Sequence, residues 1–297
     1  MTHPALAVVF AIFIWWFSTG IVLLLNRMSR SAIAVSLFLS SLLGLAALVG
    51  LVHTADQTGV AAAYCAFTCA LLVWGWNELS FLTGWITGPR TTALPQGTAG
   101  WARFWESFRA VQWHELGILV VGLGIVAITW GAPNQVGTGT FLVLWAMRTS
   151  AKLNLFLGVR NLSEAFLPAH LAYLESFFRR RAMNWFFPLA VGVSSAYLAV
   201  LATQAATAAS PAAAVGYALL ATLLALAILE HLLLVLPMDI TALWRWAIRQ
   251  RTQQAALPAS AVGTNALRSS PAASSAAKAP LASGENLDAH DTLFQVH

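Results

Sequence analysis

Residues 139–159 read GTFLVLWAMRTSAKLNLFLGV, and whether this segment crosses a membrane decides the fold. Only Gly139 to Met147 is cleanly apolar, and Arg148, Lys152 and Asn154 follow. Two cations inside one helix are costly in hydrocarbon, so a re-entrant segment competes with a full crossing. The rest of the chain chooses between them.

Working outward, six further apolar stretches reach the roughly 20 helical residues that span a bilayer core. They lie near 5–25, 32–52, 60–86, 114–132, 186–207 and 213–237. Arg27 and Arg30 separate the first two, and Arg90, Arg103 and Arg109 separate the third from the fourth. Arg160 and the run Arg179, Arg180, Arg181 follow 139–159, and Arg245, Arg249 and Arg251 follow the last stretch. The connections 53–59, 133–138 and 208–212 hold no Lys or Arg. Basic and non-basic connections alternate, as the positive-inside bias requires. The alternation survives only if 139–159 crosses, because otherwise the three consecutive arginines change sides. The expected fold is all-α: a polytopic transmembrane helix bundle of about seven spans in a bacterial inner membrane. Its N-terminus is expected to be periplasmic and its C-terminus cytoplasmic.

Composition agrees. Of 297 residues, 59% are hydrophobic and 9% charged, with mean hydropathy +0.72, whereas soluble domains carry about 25% charged residues. The net charge of +5 falls in short clusters beside apolar runs, and no zinc, Walker or Rossmann pattern is present, so no nucleic acid is expected as partner. Cys65 and Cys69 share one apolar run without a Cys-x-x-Cys spacing and are read as small buried residues. Met1 to Pro4 carries no basic stretch, and the run behind it exceeds a signal peptide in length, so it is read as a retained first helix.

Residues 1–250 form the expected transmembrane domain. Within it, WARFWESFRAVQW (101–113) places Trp101, Phe104, Trp105 and Phe108 on one helical face and Arg103, Glu106 and Arg109 elsewhere, the pattern of an interfacial amphipathic helix. Residues 160–185 are expected to be helical as far as Pro168 and again beyond it. Ser36, Ser40 and Gly44 form a small-residue ridge suited to close helix packing. Residues 251–297, rich in Ala, Ser and Pro, are expected to be a disordered cytoplasmic tail.

Ionisable groups inside spans are expensive and normally paired or functional. Asn77 and Glu78 lie late in the third span, and His114 and Glu115 open the fourth. Arg148 and Lys152 lie in the fifth, with Asn161, Glu164, His170 and Glu175 just beyond, and Glu230 and His231 lie late in the seventh. The alternating topology gathers all of them into the cytoplasmic half. Three readings stay open. One is a structural ion-pair network in which Arg148 and Lys152 neutralise Glu78 and Glu230. The second is a metal site, iron being the natural candidate, with Glu78, His114, Glu115, Glu230 and His231 as ligands. It lacks the Glu-x-x-His pairs of di-iron bundles, and adjacent helix residues point about 100° apart. The third is pigment binding, with His114 or His231 ligating a haem iron or a bacteriochlorophyll magnesium among 13 tryptophans. Nucleophilic catalysis has no motif, and a transport pathway lacks paired broken helices.

The segments WNELSFLTGW (76–85), RTSAKLNLFLGVRNLSEAFLPAHLAYLESFFRRR (148–181) and LEHLLLVLPMDITALWRW (229–246) resemble the photosynthetic complex assembly protein 2 family of phototrophic proteobacteria. The resemblance covers roughly residues 5–250 and leaves out the tail. That family is encoded beside the reaction-centre H subunit, and the resemblance implies an inner (intracytoplasmic) membrane location. It further implies a role in assembling the photosynthetic reaction centre and light-harvesting complex, or in bacteriochlorophyll supply to them. Expected partners are membrane lipids, the subunits of that complex and pigment-synthesis enzymes. The resemblance assigns no residue a chemical role. A non-catalytic assembly factor is therefore weighed against a membrane metalloenzyme of tetrapyrrole, carotenoid or quinone metabolism.

Overall fold

The computed structural model describes residues 2–162 and 167–237, with side chains from residue 4 onward. Glu164, the arginines at 245, 249 and 251 and the 251–297 tail lie outside the described residues.

Seven long helices follow in chain order: α1 (Thr2–Leu25), α2 (Arg30–Ala55), α3 (Val60–Leu82), α4 (Gly100–Ile128), α5 (Val136–Leu157), α6 (Phe186–Thr207) and α7 (Pro211–Val235). A 3-10 segment, Ala169–Phe177, lies between α5 and α6. Capping is local where the sequence permits. The Ser29 hydroxyl accepts from the Ala32 amide, and Ser210 accepts from Ala213 ahead of Pro211 in the first turn, each satisfying a donor that the helix leaves unpaired.

α3 and α7 are the inner helices. In their most apolar windows 56% and 61% of residues are buried, against 17% in α1 and 17% in α6. The outer helices show large apolar side chains to their surroundings, among them Phe38, Leu42, Leu45 and Val49 on α2 and Leu189, Val193 and Val200 on α6. A sheath of this kind is what a lipid solvent accepts and water does not. Six helices among the described residues are long and apolar enough to span a membrane, and α5 falls outside that set. The protein is thus a multi-pass helical membrane bundle.

α5 nevertheless runs the length of its neighbours, about 33 Å at 1.5 Å per residue. Its first turn lies against Leu51 and Ala66, where a Cβ on Gly137 would collide with Leu51. Its last turn holds Asn154 against Asn184. It packs on α3, α4, α6 and α7, so much of its polar surface faces protein rather than lipid. Composition reads lower than in the other spans for that reason.

Two local expectations change. Residues 101–113 are not a separate interfacial helix but the first turns of α4, because nothing in VQWHEL breaks the helix. Of the aromatic face only Trp101, 74% exposed, and Trp105 look outward, while Phe104 and Phe108, stacked against them, are half-buried and turn toward the bundle. Arg103 is buried instead of solvated. The helix expected up to Pro168 is also absent from the described part. α5 ends at Gly158, whose φ of +122° suits glycine, and Val159 pairs in parallel with Arg180.

On α2 the small-residue ridge meets α3 at Gly44, which packs on Trp76. The Trp76 indole donates to Ser41 at 2.9 Å. Cys69 is buried against Gly50, whereas Cys65 is exposed, contrary to expectation, with the two sulfurs 4.0 Å apart.

Candidate functional site

The polar residues of four spans meet toward the end of the bundle that carries Arg90, Arg103, Arg109 and Arg179. On α3, Asn77 donates back to the Val73 carbonyl at 3.0 Å, and the Ser80 hydroxyl donates to Asn77 O. Glu78, between them, accepts from Arg148 of α5 at 3.0 Å. Lys152, one turn on along the same α5 face, donates to Glu115 of α4. Glu230 of α7 accepts from the indole of Trp15 on α1 at 3.0 Å.

The expected network is therefore redistributed. Arg148 does hold Glu78, but Lys152 turns to α4 and pairs with Glu115, because α7 presents His231 to Ser150 instead. Glu230 pairs with neither cation. Three carboxylates face two cations, and Glu230 is the one held by a neutral donor.

These groups line a half-open cavity of about 1310 Å³ between α1, α3, α4, α5, α7 and the 3-10 segment, with Glu230 exposed on its wall. That exceeds the roughly 300–1,000 Å³ of ordinary small-molecule sites. Glu78, Glu115, Arg148, Lys152, Glu230 and His231 form a polar belt part-way along it. On one side of the belt lie Leu71, Trp74 and Trp145, and toward the arginine-rich end lie Phe104, Phe156 and Phe177. The Arg148 side chain is 39% accessible although it sits deep among helices, because it borders the cavity. The chamber is apolar at both ends and charged in the middle.

The two histidines do different work from a ligand pair. His231 is buried, with Nδ1 2.9 Å from the Ala227 carbonyl and Nε2 2.9 Å from the Ser150 hydroxyl. Metal ligation would break one of these bonds. His114 is 1% exposed and packs on Phe81 at 4.4 Å between centroids, with its Nε2 enclosed and unbonded. It is not among the residues bordering the cavity. Among the described residues no three His, Cys, Asp or Glu side chains converge as a metal group. Glu78, His114, Glu115, Glu230 and His231 are therefore not one coordination set: cations take two of the carboxylates, an indole takes the third, and neighbouring hydroxyl and backbone groups take His231.

The residues flanking the spans act as fasteners. Asn161 donates to the Leu233 carbonyl at 2.7 Å and closes the end of α7. His170 bonds the Leu82 carbonyl at the end of α3 at 3.0 Å, and Glu175 is exposed. Sequence reasoning misses Trp15, which reads as one more aromatic in an apolar run, and Asn184. The Asn184 amide donates to Asn154 and to the Gly158 carbonyl, while its oxygen accepts from Phe186 and Phe187. An Asn just before an apolar run is a helix-start signal and could have found it. Gly88 is also missed: its backbone crosses α4 so closely that a Cβ would collide with the carbonyl of Arg109.

Residues 1–255 match the family described as "Protein of unknown function (DUF3623)". The chain belongs to the DUF3623 family. A relative from Rhodobacter capsulatus, described as an uncharacterized 30.4 kDa protein in the puhA 5' region, is 37% identical over 252 residues. The match covers 84% of this chain and 92% of the relative. No solved structure matches the chain. The DUF3623 match includes all seven helices and every residue of the polar belt.

Proposed function

We propose that this DUF3623 protein is a membrane assembly factor for the bacterial photosynthetic reaction centre and its light-harvesting partner. In this reading it acts by holding an apolar pigment of bacteriochlorophyll type before handing it on. The cavity is the observation that carries this reading. Its volume, its apolar ends and its central charged belt suit a large amphiphile whose polar groups lie midway along an apolar body. The puhA 5' region in which the Rhodobacter capsulatus relative lies supports the photosynthetic context. The arginine-rich end faces the cytoplasm of the inner membrane in this reading, where complex subunits and pigment-synthesis enzymes are its partners.

Purification from phototrophically grown cells in mild detergent tests the proposal. The expected product co-purifies with reaction-centre subunits and carries bacteriochlorophyll absorbance that falls in an Arg148→Gln, Glu230→Gln double variant. A colourless preparation free of those subunits sinks it. Stoichiometric iron with turnover of a tetrapyrrole, carotenoid or quinone would move the protein to the enzymes.

A further inference from the structure

A second built feature lies at the arginine-rich end, away from the charged belt. After the 3-10 segment the chain is extended and hydrogen-bonded to the end of α5. The Arg179 amide donates to Leu155 O, Val159 to Arg179 O, and Arg181 to Val159 O. In extended backbone the side chains of residues two apart point the same way, about 7 Å from each other. Arg179 and Arg181 thus share a face, and Arg180 takes the other. Arg181 lies across Gly158, where a Cβ would come within 2.8 Å of its Cγ and Cδ.

Arg103 of α4 is fixed under this face. It donates to the carbonyls of Phe156 and Phe177 and stacks over the Phe156 ring at 3.9 Å. Its Phe177 anchor lies two residues ahead of Arg179, at the start of the extended segment. Among the described residues none of the three has a carboxylate partner, and the nearby Glu106 is committed to Arg90 and Arg109. Three like charges held together by backbone contacts, one of them buried, form an arrangement that an anion stabilises. Two exposed tryptophans, Trp101 and Trp185, flank the same end, and tryptophan is a residue type that settles at headgroup depth.

We infer that Arg179 and Arg181, backed by Arg103, form a binding site for the phosphate of an anionic phospholipid headgroup. The site adjoins the cavity through Phe156 and Phe177 but uses none of the charged belt, and its test adds no pigment, so its outcome is separate from that of the pigment reading.

The test uses full-length protein, delipidated in neutral detergent. Its thermal midpoint is followed while phosphatidylglycerol, phosphatidylcholine or inorganic phosphate is added. Wild type is expected to shift with phosphatidylglycerol and not with the other two. Arg179→Gln with Arg181→Gln should keep the lipid-free midpoint, because these side chains are exposed and the segment is held through its backbone. Its apparent lipid affinity should fall roughly 25-fold, at about a factor of five per basic residue. Arg30→Gln, an exposed arginine at the start of α2, should behave as wild type. The site is overturned by equal shifts with phosphatidylcholine, by unchanged affinity in the double variant, or by an equal loss in Arg30→Gln. A matching shift with inorganic phosphate overturns the lipid assignment.

Discussion

The two ends of the bundle solve the same problem, polar groups away from water, in different ways. At the end where α2 meets α3 and α4 meets α5, the buried polar residues are uncharged and close on near neighbours. Thr129 donates to Ile125 O and shares a hydrogen bond with Thr138. Asn134 donates to Thr54 O, and the exposed Gln135 covers them by donating to Thr129 O and Ala132 O. At the arginine-rich end the groups are charged, come from four helices and border a chamber. The contrast separates a seal from a site. A seal needs only satisfied hydrogen bonds, whereas accessible charges among helices are what the proposed pigment site would use.

The largest expected effect breaks the site. Arg148→Leu leaves Glu78 buried without its cation and should cost about 3 kcal/mol, the low end for a broken buried pair because Arg148 borders the cavity. A thermal melt in detergent reads it, and adding Glu78→Leu should restore most of the loss. Failure of the second change to rescue would show that the pair does not act as a unit.

Asn184→Ala should cost about 2 kcal/mol, since it removes the start of α6 and its tie to Asn154 and Gly158 together. The melt should fall while pigment and subunit recovery from intact membranes are preserved. Thr138→Val at the opposite end is expected to lose about 1 kcal/mol, with no change in what co-purifies; altered co-purification would abolish the distinction between the two ends. Glu230→Gln should be the mildest for stability, under about 1 kcal/mol, because the amide oxygen still accepts from Trp15. It should still reduce retention of the cavity's occupant. Unchanged retention would reduce the belt to a structural network.

How much of this is legible in sequence follows from which facts are local. Apolar runs and the arginines between them are local, so the helices and their order can be read directly. Shared depth then brings Glu78, Glu115, Arg148, Lys152, Glu230 and His231 to one level. Depth does not determine rotation about each helix axis, and rotation decides that Lys152 meets Glu115 while Glu230 meets Trp15, 215 residues away. His114 shows the same limit. Its position among the charged residues is readable, but its burial against Phe81 away from the cavity is not. The end of the fifth span beside Gly158 is readable, but the non-helical course of 159–162 is not, because it depends on the pairing of Val159 with Arg179 and Arg181, about 20 residues on.

α5 also constrains how the protein is made. A charged residue at a helix centre costs about 2.5–3.5 kcal/mol when a segment enters the bilayer alone; α5 carries Arg148 near its middle and Lys152 one turn nearer its end. The carboxylates that offset them on α3 and α4 emerge from the ribosome beforehand, but Ser150 has to wait for His231, 81 residues later. The growing chain must therefore present α3, α4 and α5 to the membrane as a hairpin set rather than one helix at a time. A ribosome-bound intermediate truncated before α6 should already be integrated, and one lacking Glu78 and Glu115 should leave α5 outside.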